Sequence, residues 1–595
     1  MFQSFTATTA PETGPARLQA LRAEIAREGL IGMLVPRADL HQGEYVAACD
    51  ERLAWLTGFT GSAGFCIVLP DVAGVFIDGR YRVQVRAQVA DCFTPVHWPE
   101  VQPGPWIAQM QGEVAGRIGF DPWLHTKREI DGIRAALPAH IKLVPCNNLI
   151  DRIWNDRPAP PQAPARAHPM ELAGETSETK RTRIAASLAP ARACVLTLPD
   201  SICWLLNIRG ADIPRNPVTH ALAILQENGA LALYAEPAKF AGLEDHLGPQ
   251  VTLHPQSALT PALRQLNGPV RVDPASAPWQ IGAELAEAGT EITWAEDPCI
   301  LPKAVKNAAE IKGMEAAHLR DGAAMVEFLA WLEAEAPKET LTEIDVVTRL
   351  EAARAASNEL TDISFDTICG AGPHGAIVHY RVTHGSNRAV KAGELLLVDS
   401  GGQYRDGTTD ITRTLAVGPV PEEARAPYTR VLQGMIALSR ARFPRGVAGA
   451  HLDALARAPL WMAGQDFDHG TGHGVGAALC VHEGPARISR VSDLPLREGM
   501  ILSNEPGYYR EGAFGIRIEN LVRIIKAPDL GDNRDQLAFE TLTLCPIDTR
   551  LIDLELLSNH ERDWLNAYHA RVDSALAPRV APETRDWLAR ACAPI

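Results

Sequence analysis

The sequence is poor in several things at once. It has no CxxC pair, and its 11 cysteines, an odd number, are scattered singly from Cys49 to Cys592. That usage speaks against a disulfide framework and suits a reducing compartment. No apolar run reaches the roughly 18 residues a membrane helix needs, so no span is expected. There is no dense Lys/Arg run, and 57 basic residues face 72 acidic ones, a net charge of −15. A chain this acidic has little electrostatic footing on nucleic acid or an anionic bilayer, and neither is expected as a partner. The opening MFQSFTATTAPETGPARLQALRAEIAREGL has neither a basic start nor an apolar core. It does not read as a secretory signal, and the cytoplasm is the default location.

What is present is ordinary for a soluble enzyme: 46% apolar and 22% charged residues. At 595 residues the chain is past the size at which one core keeps growing, so two to four domains are expected. Leu18, Leu21 and Ile25 recur at helical spacing before Gly29, and IGMLVP, GFCIVLP and VAGVFIDG read as short strands. That alternation predicts an α/β domain over residues 1–155. NDRPAPPQAPARAHP cannot sustain a helix or a central strand and reads as a linker, taken as 156–172. The strand-and-helix pattern resumes over 173–303. KNAAEIKGMEAAHLRDGAAMVEFLAWLEAEA then opens a third region, 304–535, as a long amphipathic helix. Residues 536–595 close the chain with a helix carrying Trp564, Leu565, Tyr568 and Val572 along one face.

The chemistry-bearing residues concentrate between about 365 and 525. In LLLVDSGGQYRDGTTDITRTLAV an apolar run ends on Asp399, and a glycine-containing loop leads to a second β-prone segment at Asp410. The two segments should pair as a hairpin and bring the aspartates together. Neighbouring carboxylates repel unless something positive, usually a metal, lies between them. Taken alone, both could equally be turn aspartates. In DHGTGHGVGAALCVHEGP, His469, His473 and His482 sit among glycines whose density opposes a helix and would let a ligand approach the backbone. Glu505 ends an apolar run before Pro506-Gly507, and in GIRIENLVRII the alternation puts Arg517 and Glu519 on one face of a strand. An Arg and a Glu on the exposed face of such a strand are common without function. Together these segments offer four carboxylates and one imidazole, with spare histidines. Such a set suits two hard or borderline divalent ions better than a structural zinc. Metal-assisted hydrolysis is where the residues lead unaided.

DSGGQYRDGTTDITRT, HGTGHGVG, NEPGYY and GIRIEN closely resemble the Xaa-Pro aminopeptidases (aminopeptidase P) of the pita-bread metallopeptidase family M24. The likeness extends beyond the site. DERLAWLTGFTGSAG and VFIDGRYRVQVRAQV are similar to the first domain of the long, three-domain form, SICWLLNIRGADIPRNPVTHALAIL to its second, and DWLNAYHARV to its tail. The resemblance implies a pita-bread catalytic domain behind two smaller creatinase-N-like α/β domains. It implies that Asp399 binds one metal and His473 and Glu505 the other, with Asp410 and Glu519 bridging. The ions would be two per chain and divalent, manganese first, zinc or cobalt as alternatives. Glu505, touching a water shared by the metals, would be the general base. His379, in PHGAIVHY, would shuttle protons or steady the scissile carbonyl, and His482 would donate to that carbonyl or to the tetrahedral intermediate. His469 would line the substrate pocket, and Arg517 would support the bridging carboxylates.

The implied activity is removal of the residue before a proline at position two of a peptide, by a homodimer. The nearest rival is prolidase, a dipeptidase with the same five ligands, usually in a two-domain chain. Methionine aminopeptidase lacks such N-terminal domains, creatinase lacks the metal set, and pita-bread binding scaffolds have lost the ligands.

Overall fold

Helix Gly14–Arg27 buries Leu18, Leu21 and Ile25 and ends just before Gly29, whose φ of +63° a side chain rarely adopts. The three predicted strands form as Gly32–Pro36, Phe65–Val68 and Ala73–Ile77. The computed structural model describes residues 1–531 and 534–595, in two units: Thr8–Ile300, and Leu301–Ile595 joined by Met1–Ala7.

The 8–300 unit holds two six-stranded mixed sheets. The first runs, edge to edge, Thr94–His97, Ala73–Ile77, Phe65–Val68, Gly32–Pro36, Gly116–Phe120, Ile141–Pro145. The second runs Val251–His254, Leu231–Tyr234, Leu222–Gln226, Ala193–Leu196, Val270–Val272, Ile292–Trp294. The second repeats the first strand for strand. In each, the strand that comes first in sequence is central, antiparallel to one neighbour and parallel to the other. The proline-rich connection is not a free tether. Ala163 N–H donates to Asp212, Ala165 N–H to the Lys239 carbonyl, and Arg166–Ala167 pairs with Ile208–Arg209. Proline bars helices and central strands but not such an edge pairing.

The other unit begins with helix Ala308–Glu335, capped by Asn307 and Glu310 in a reciprocal capping box. Three antiparallel strands follow, Ile368–Ala371, Leu395–Ser400 and Ile411–Ala416. A second antiparallel sheet has six, in the order 442–444, 536–541, 520–526, 501–504, 472–474, 483–488. Helices Glu343–Ala355, Glu422–Ser439 and Gly449–Trp461 complete the mixed α/β pita-bread body. Met1–Ala7 is stitched here and not to the domain it precedes. Thr367 N–H donates to Gln3, His384 N–H to the Phe5 carbonyl, and Phe5 is buried beside Met325 and Phe328. Seven residues are too few to show a hydrophobic period, so the sequence pattern could not assign them.

The helix expected to close the chain, Asn559–Leu576, is followed by a shorter one, Pro582–Ala591. The longer terminal helix buries Leu565, Tyr568 and Val572 in this unit's own core, with Trp564 partly buried against it. The Tyr568 hydroxyl accepts from Arg413, which also donates to the Glu519 carbonyl, so the tail buttresses the region of the conspicuous carboxylates. All 11 cysteines are free, and no described helix is long and apolar enough to cross a membrane. Leu565 is fully buried, so Leu565→Ala should cost about 2–5 kcal/mol by lost burial plus a cavity. Denaturant unfolding of this unit measures it, and a change below about 0.5 kcal/mol would mean the tail is dispensable to the core.

Candidate metal centre

The two aspartates come from one hairpin. Strand Leu395–Ser400 pairs with Ile411–Ala416 so that Asp399 faces Thr412, and Asp410 immediately precedes the second strand. The turn needs Gly401: a Cβ there would lie 2.0 Å from the Thr409 carbonyl oxygen. His473 sits in the three-residue strand Gly472–Gly474 of the six-stranded sheet. A Cβ on Gly472 would lie 2.0 Å from the Ser503 carbonyl, and one on Gly474 2.3 Å from that of Glu483. The glycines flanking His473 therefore make room for neighbouring strands, where the sequence suggested room for a ligand. Glu505 follows strand Ile501–Asn504 and is pinned by its N–H on the Thr471 carbonyl. The run GIRIEN, read as one strand, is two. Phe514–Arg517 pairs with Gly507–Arg510, while Asn520–Lys526 joins the larger sheet, and Glu519 lies in the break with its N–H on Thr412. Arg517 and Glu519 are both buried, unlike surface residues of an alternating strand.

All five residues converge. Asp410, His473 and Glu519 each offer an atom within 4.8 Å of the others. His473 Nε2 lies 3.5 Å from Asp410 Oδ2 and 3.4 Å from Glu505 Oε1. The His473 Nδ1–H donates to the Gly474 carbonyl at 3.0 Å, which turns Nε2 toward the carboxylates. Asp399 Oδ2 accepts from Arg517 at 2.6 Å, Glu519 Oε2 from Thr412 at 2.8 Å, and Glu505 Oε1 from Ser503 at 3.0 Å. Asp399 Oδ1 is buried without a partner.

Without a cation this arrangement is unfavourable. Burial raises the pKa of Asp399 to about 6, with Asp410 adding to the rise and Arg517 opposing it. Burial likewise raises Glu505, and raises Glu519 well above the ordinary carboxylate value with Asp410 contributing. Burial acts to lower His473, but Asp410 and Glu505 outweigh it and push it up to about 9. With all four carboxylates ionised and His473 neutral, as ligation requires, one guanidinium leaves a deficit of three charges, more than one divalent ion can neutralise. The donor set, oxygen-rich with one imidazole, fits two such ions.

Around this cluster, His482 packs its ring edge-on to His473, centroids 4.2 Å apart. His379 is half-buried, next to Val378, whose carbonyl meets Arg517 at 3.4 Å. His469 stands apart from the carboxylates but is wired to them. Its Nε2 accepts from the Tyr509 hydroxyl at 2.9 Å, Tyr509 accepts from Arg517 at 2.6 Å, and Arg517 holds Asp399. Burial pushes the Tyr509 hydroxyl up to about 12, so it remains a donor. Tyr509, Thr412 and Ser503 are the site residues that sequence reasoning missed. Tyr509 lies within NEPGYY and Thr412 within the aspartate hairpin, but nothing local marks a hydroxyl as facing a carboxylate.

The sequence profile described as Metallopeptidase family M24 matches residues 312–526, and that of the C-terminal region of peptidase M24 matches 535–595. Creatinase/Prolidase N-terminal domain profiles match 17–153 and 156–310. The chain is 39% identical to Aminopeptidase P2 of Arabidopsis thaliana over 94% of its own length and 85% of the relative's. It is 38% identical to a probable Xaa-Pro aminopeptidase P of Coccidioides posadasii over 99% and 95%. Among solved structures, X-prolyl aminopeptidase from Caenorhabditis elegans, described as a cytosolic enzyme with a di-nuclear active site, aligns at a TM-score of 0.92. That alignment has 34% identity and covers 98% of this chain and all of the other. Prolidase from Pyrococcus horikoshii aligns at 0.50 and 25% identity, covering 62% of this chain and 99% of its own.

Metal binding at this cluster must displace protons. Ligation needs ionised carboxylates and a free His473 Nε2, whereas in the metal-free chain His473 stays protonated up to about pH 9 and Asp399 up to about pH 6. Affinity for a divalent ion should therefore strengthen as pH rises from 6 to 9, with proton release, and level off above. Calorimetric titration in buffers of differing ionisation enthalpy measures both, and a dissociation constant flat across that window contradicts the assignment.

Proposed function

The chain belongs to metallopeptidase family M24, and from that premise we propose that it is a Xaa-Pro aminopeptidase, hydrolysing the first peptide bond of chains with proline at position two. The observation that carries this reading is the convergence of buried Asp399, Asp410 and Glu519 with half-buried His473 and Glu505 in a chain that matches aminopeptidase P relatives from end to end. Prolidase shares the fold, but its solved structure spans 62% of this chain, against 98% for the X-prolyl aminopeptidase. The domain division proposed is 1–155, 156–172, 173–303, 304–535 and 536–595, supported by the two like sheets and the separate profile matches. The first seven residues, Met1–Ala7, pack with the last unit and stand outside the first domain.

Asp399, Asp410, His473, Glu505 and Glu519 would hold two divalent ions, manganese being our proposal. When bound, such ions supply Lewis acidity and make water nucleophilic at neutral pH. Glu505, oriented by Ser503, takes the proton of the attacking water as general base. His482, beside His473, donates to the scissile carbonyl as negative charge develops there. His379 steadies the same carbonyl or carries the proton onward to the leaving nitrogen. His469, held by Tyr509, lines the substrate pocket, and Arg517 fixes Asp399 while its charge offsets the carboxylates. A bond before proline is a tertiary amide with no N–H, so the site needs no acceptor for that nitrogen.

We place the enzyme in the cytoplasm, in keeping with its structural relative, and as a homodimer. The terminal-helix stripe gives the dimer no support, since its own unit covers it. Helix Gly449–Trp461 does. Leu455, Ala458 and Met462 recur along one exposed face beside Trp461, and Met462 is 92% exposed. Met462→Glu should yield monomers by light scattering at micromolar concentration; unchanged dimers would exclude this face.

With manganese, Xaa-Pro-Xaa tripeptides and longer peptides should lose only their first residue, and alanine in place of proline should slow cleavage strongly. Faster hydrolysis of Xaa-Pro dipeptides than of any tripeptide would replace this reading by prolidase. His482→Ala should keep its metal and lose about a hundredfold to ten-thousandfold in turnover. An unchanged rate would make His482 structural.

A further inference from the structure

Three of the four carboxylates at the centre are each held by a protein side chain: Asp399 by Arg517, Glu519 by Thr412, Glu505 by Ser503. Asp410 is met by His473 Nε2 at 3.5 Å, a fellow ligand that would turn to the metal, and no other described side chain is seen to orient it. Carboxylates that ligate metals are as a rule oriented by a partner behind them, and losing it loosens the metal.

Next to Asp410 lies a cavity of about 10 Å³, lined by His318, Asp321, Met325, Thr409, Asp410 and Thr543 among others. His318, on helix Ala308–Glu335, is 3% exposed. Its Nδ1 lies 2.7 Å from the Met314 carbonyl oxygen one turn back, and its Nε2 is buried with no partner. A carbonyl oxygen can only accept, so Nδ1 carries the hydrogen and Nε2 presents a bare lone pair. Burial lowers the His318 pKa, which keeps the ring in this neutral form. The space is about that of a single water, and such sites are filled when polar groups converge on them.

We propose that this cavity seats one structural water that donates one hydrogen to the Asp410 carboxylate and the other to His318 Nε2, making His318 a positioning residue for the metal centre. The inference rests on the metal-centre reading. It supplies the one orienting contact that centre lacks, and it explains a histidine buried beneath the carboxylates that takes no part in the proposed chemistry. An apolar residue at 318 would fill the helix face equally well but leave the water with no acceptor on that side.

The direct test is a crystal structure of the manganese-loaded enzyme at a resolution that shows ordered solvent. It should contain a water within about 2.7–3.2 Å of both His318 Nε2 and an Asp410 oxygen. A dry cavity, or a water touching only one of them, overturns the proposal. In solution, His318→Leu should weaken manganese binding by about tenfold to a hundredfold. It should lower kcat more than it raises KM, and change the electron paramagnetic resonance signature of the bound ions. His318→Gln, whose amide oxygen can accept from the same water, should restore affinity. Wild-type affinity in His318→Leu, or a folded His318→Gln as weak as His318→Leu, sinks this inference alone. A wild-type chain that binds no manganese sinks the metal centre and the inference together.

Discussion

Four carboxylates buried within one small volume repel one another, and in the low-dielectric interior of a protein that repulsion falls off slowly. Asp399, Asp410, Glu505 and Glu519 are placed in this way, and burial with mutual repulsion lifts three of them above the ordinary carboxylate range. Arg517 offsets one charge, and the remainder calls for cations. The local structure makes sense as a device for holding this costly arrangement in place until they arrive. Two sheets contribute, so no single strand must turn every ligand inward. They are tied at Glu519 N–H on the Thr412 carbonyl, and the ribbon Gly507–Arg510/Phe514–Arg517 joins them at Arg517 N–H on the Thr414 hydroxyl.

Support extends outward from the ligands in layers. Hydroxyls of Thr412 and Ser503 and the Arg517 guanidinium fix individual carboxylate oxygens. Arg413 fixes the backbone at Glu519 and in turn meets Tyr568 on the terminal helix, so the last 60 residues have a mechanical connection to the centre. Tyr509 ties His469 to Arg517, which makes the substrate side and the ligand side of the site respond to the same guanidinium.

Much of this was legible in the sequence, for identifiable reasons. The helix at Leu18–Ile25, the strands beside it and the aspartate hairpin have periods that survive at short range, and the structure has them where the pattern put them. The paired sheets of the 8–300 unit were foreseen as two similar α/β domains through resemblance; no short-period repeat betrays them, because topology recurs without the residues recurring. GIRIEN was misread as one strand since alternation continues across a break that only sheet pairing reveals. The glycines around His473 were rightly marked as permitting close approach, but the approaching group is a neighbouring strand. Tyr509, Thr412, Ser503 and His318 could not be found, because what singles each out is the group across from it, contributed by distant sequence. The terminal-helix stripe was ambiguous in principle: an apolar face must be covered, and sequence cannot say by what.

The central claim is that the carboxylate cluster is stable in its buried form because two divalent ions complete it. Titrating manganese into metal-stripped protein, with bound metal counted at saturation, tests this most directly. The account requires two ions per chain and a rise in melting temperature as they bind. Saturation at one ion, or none, would contradict it.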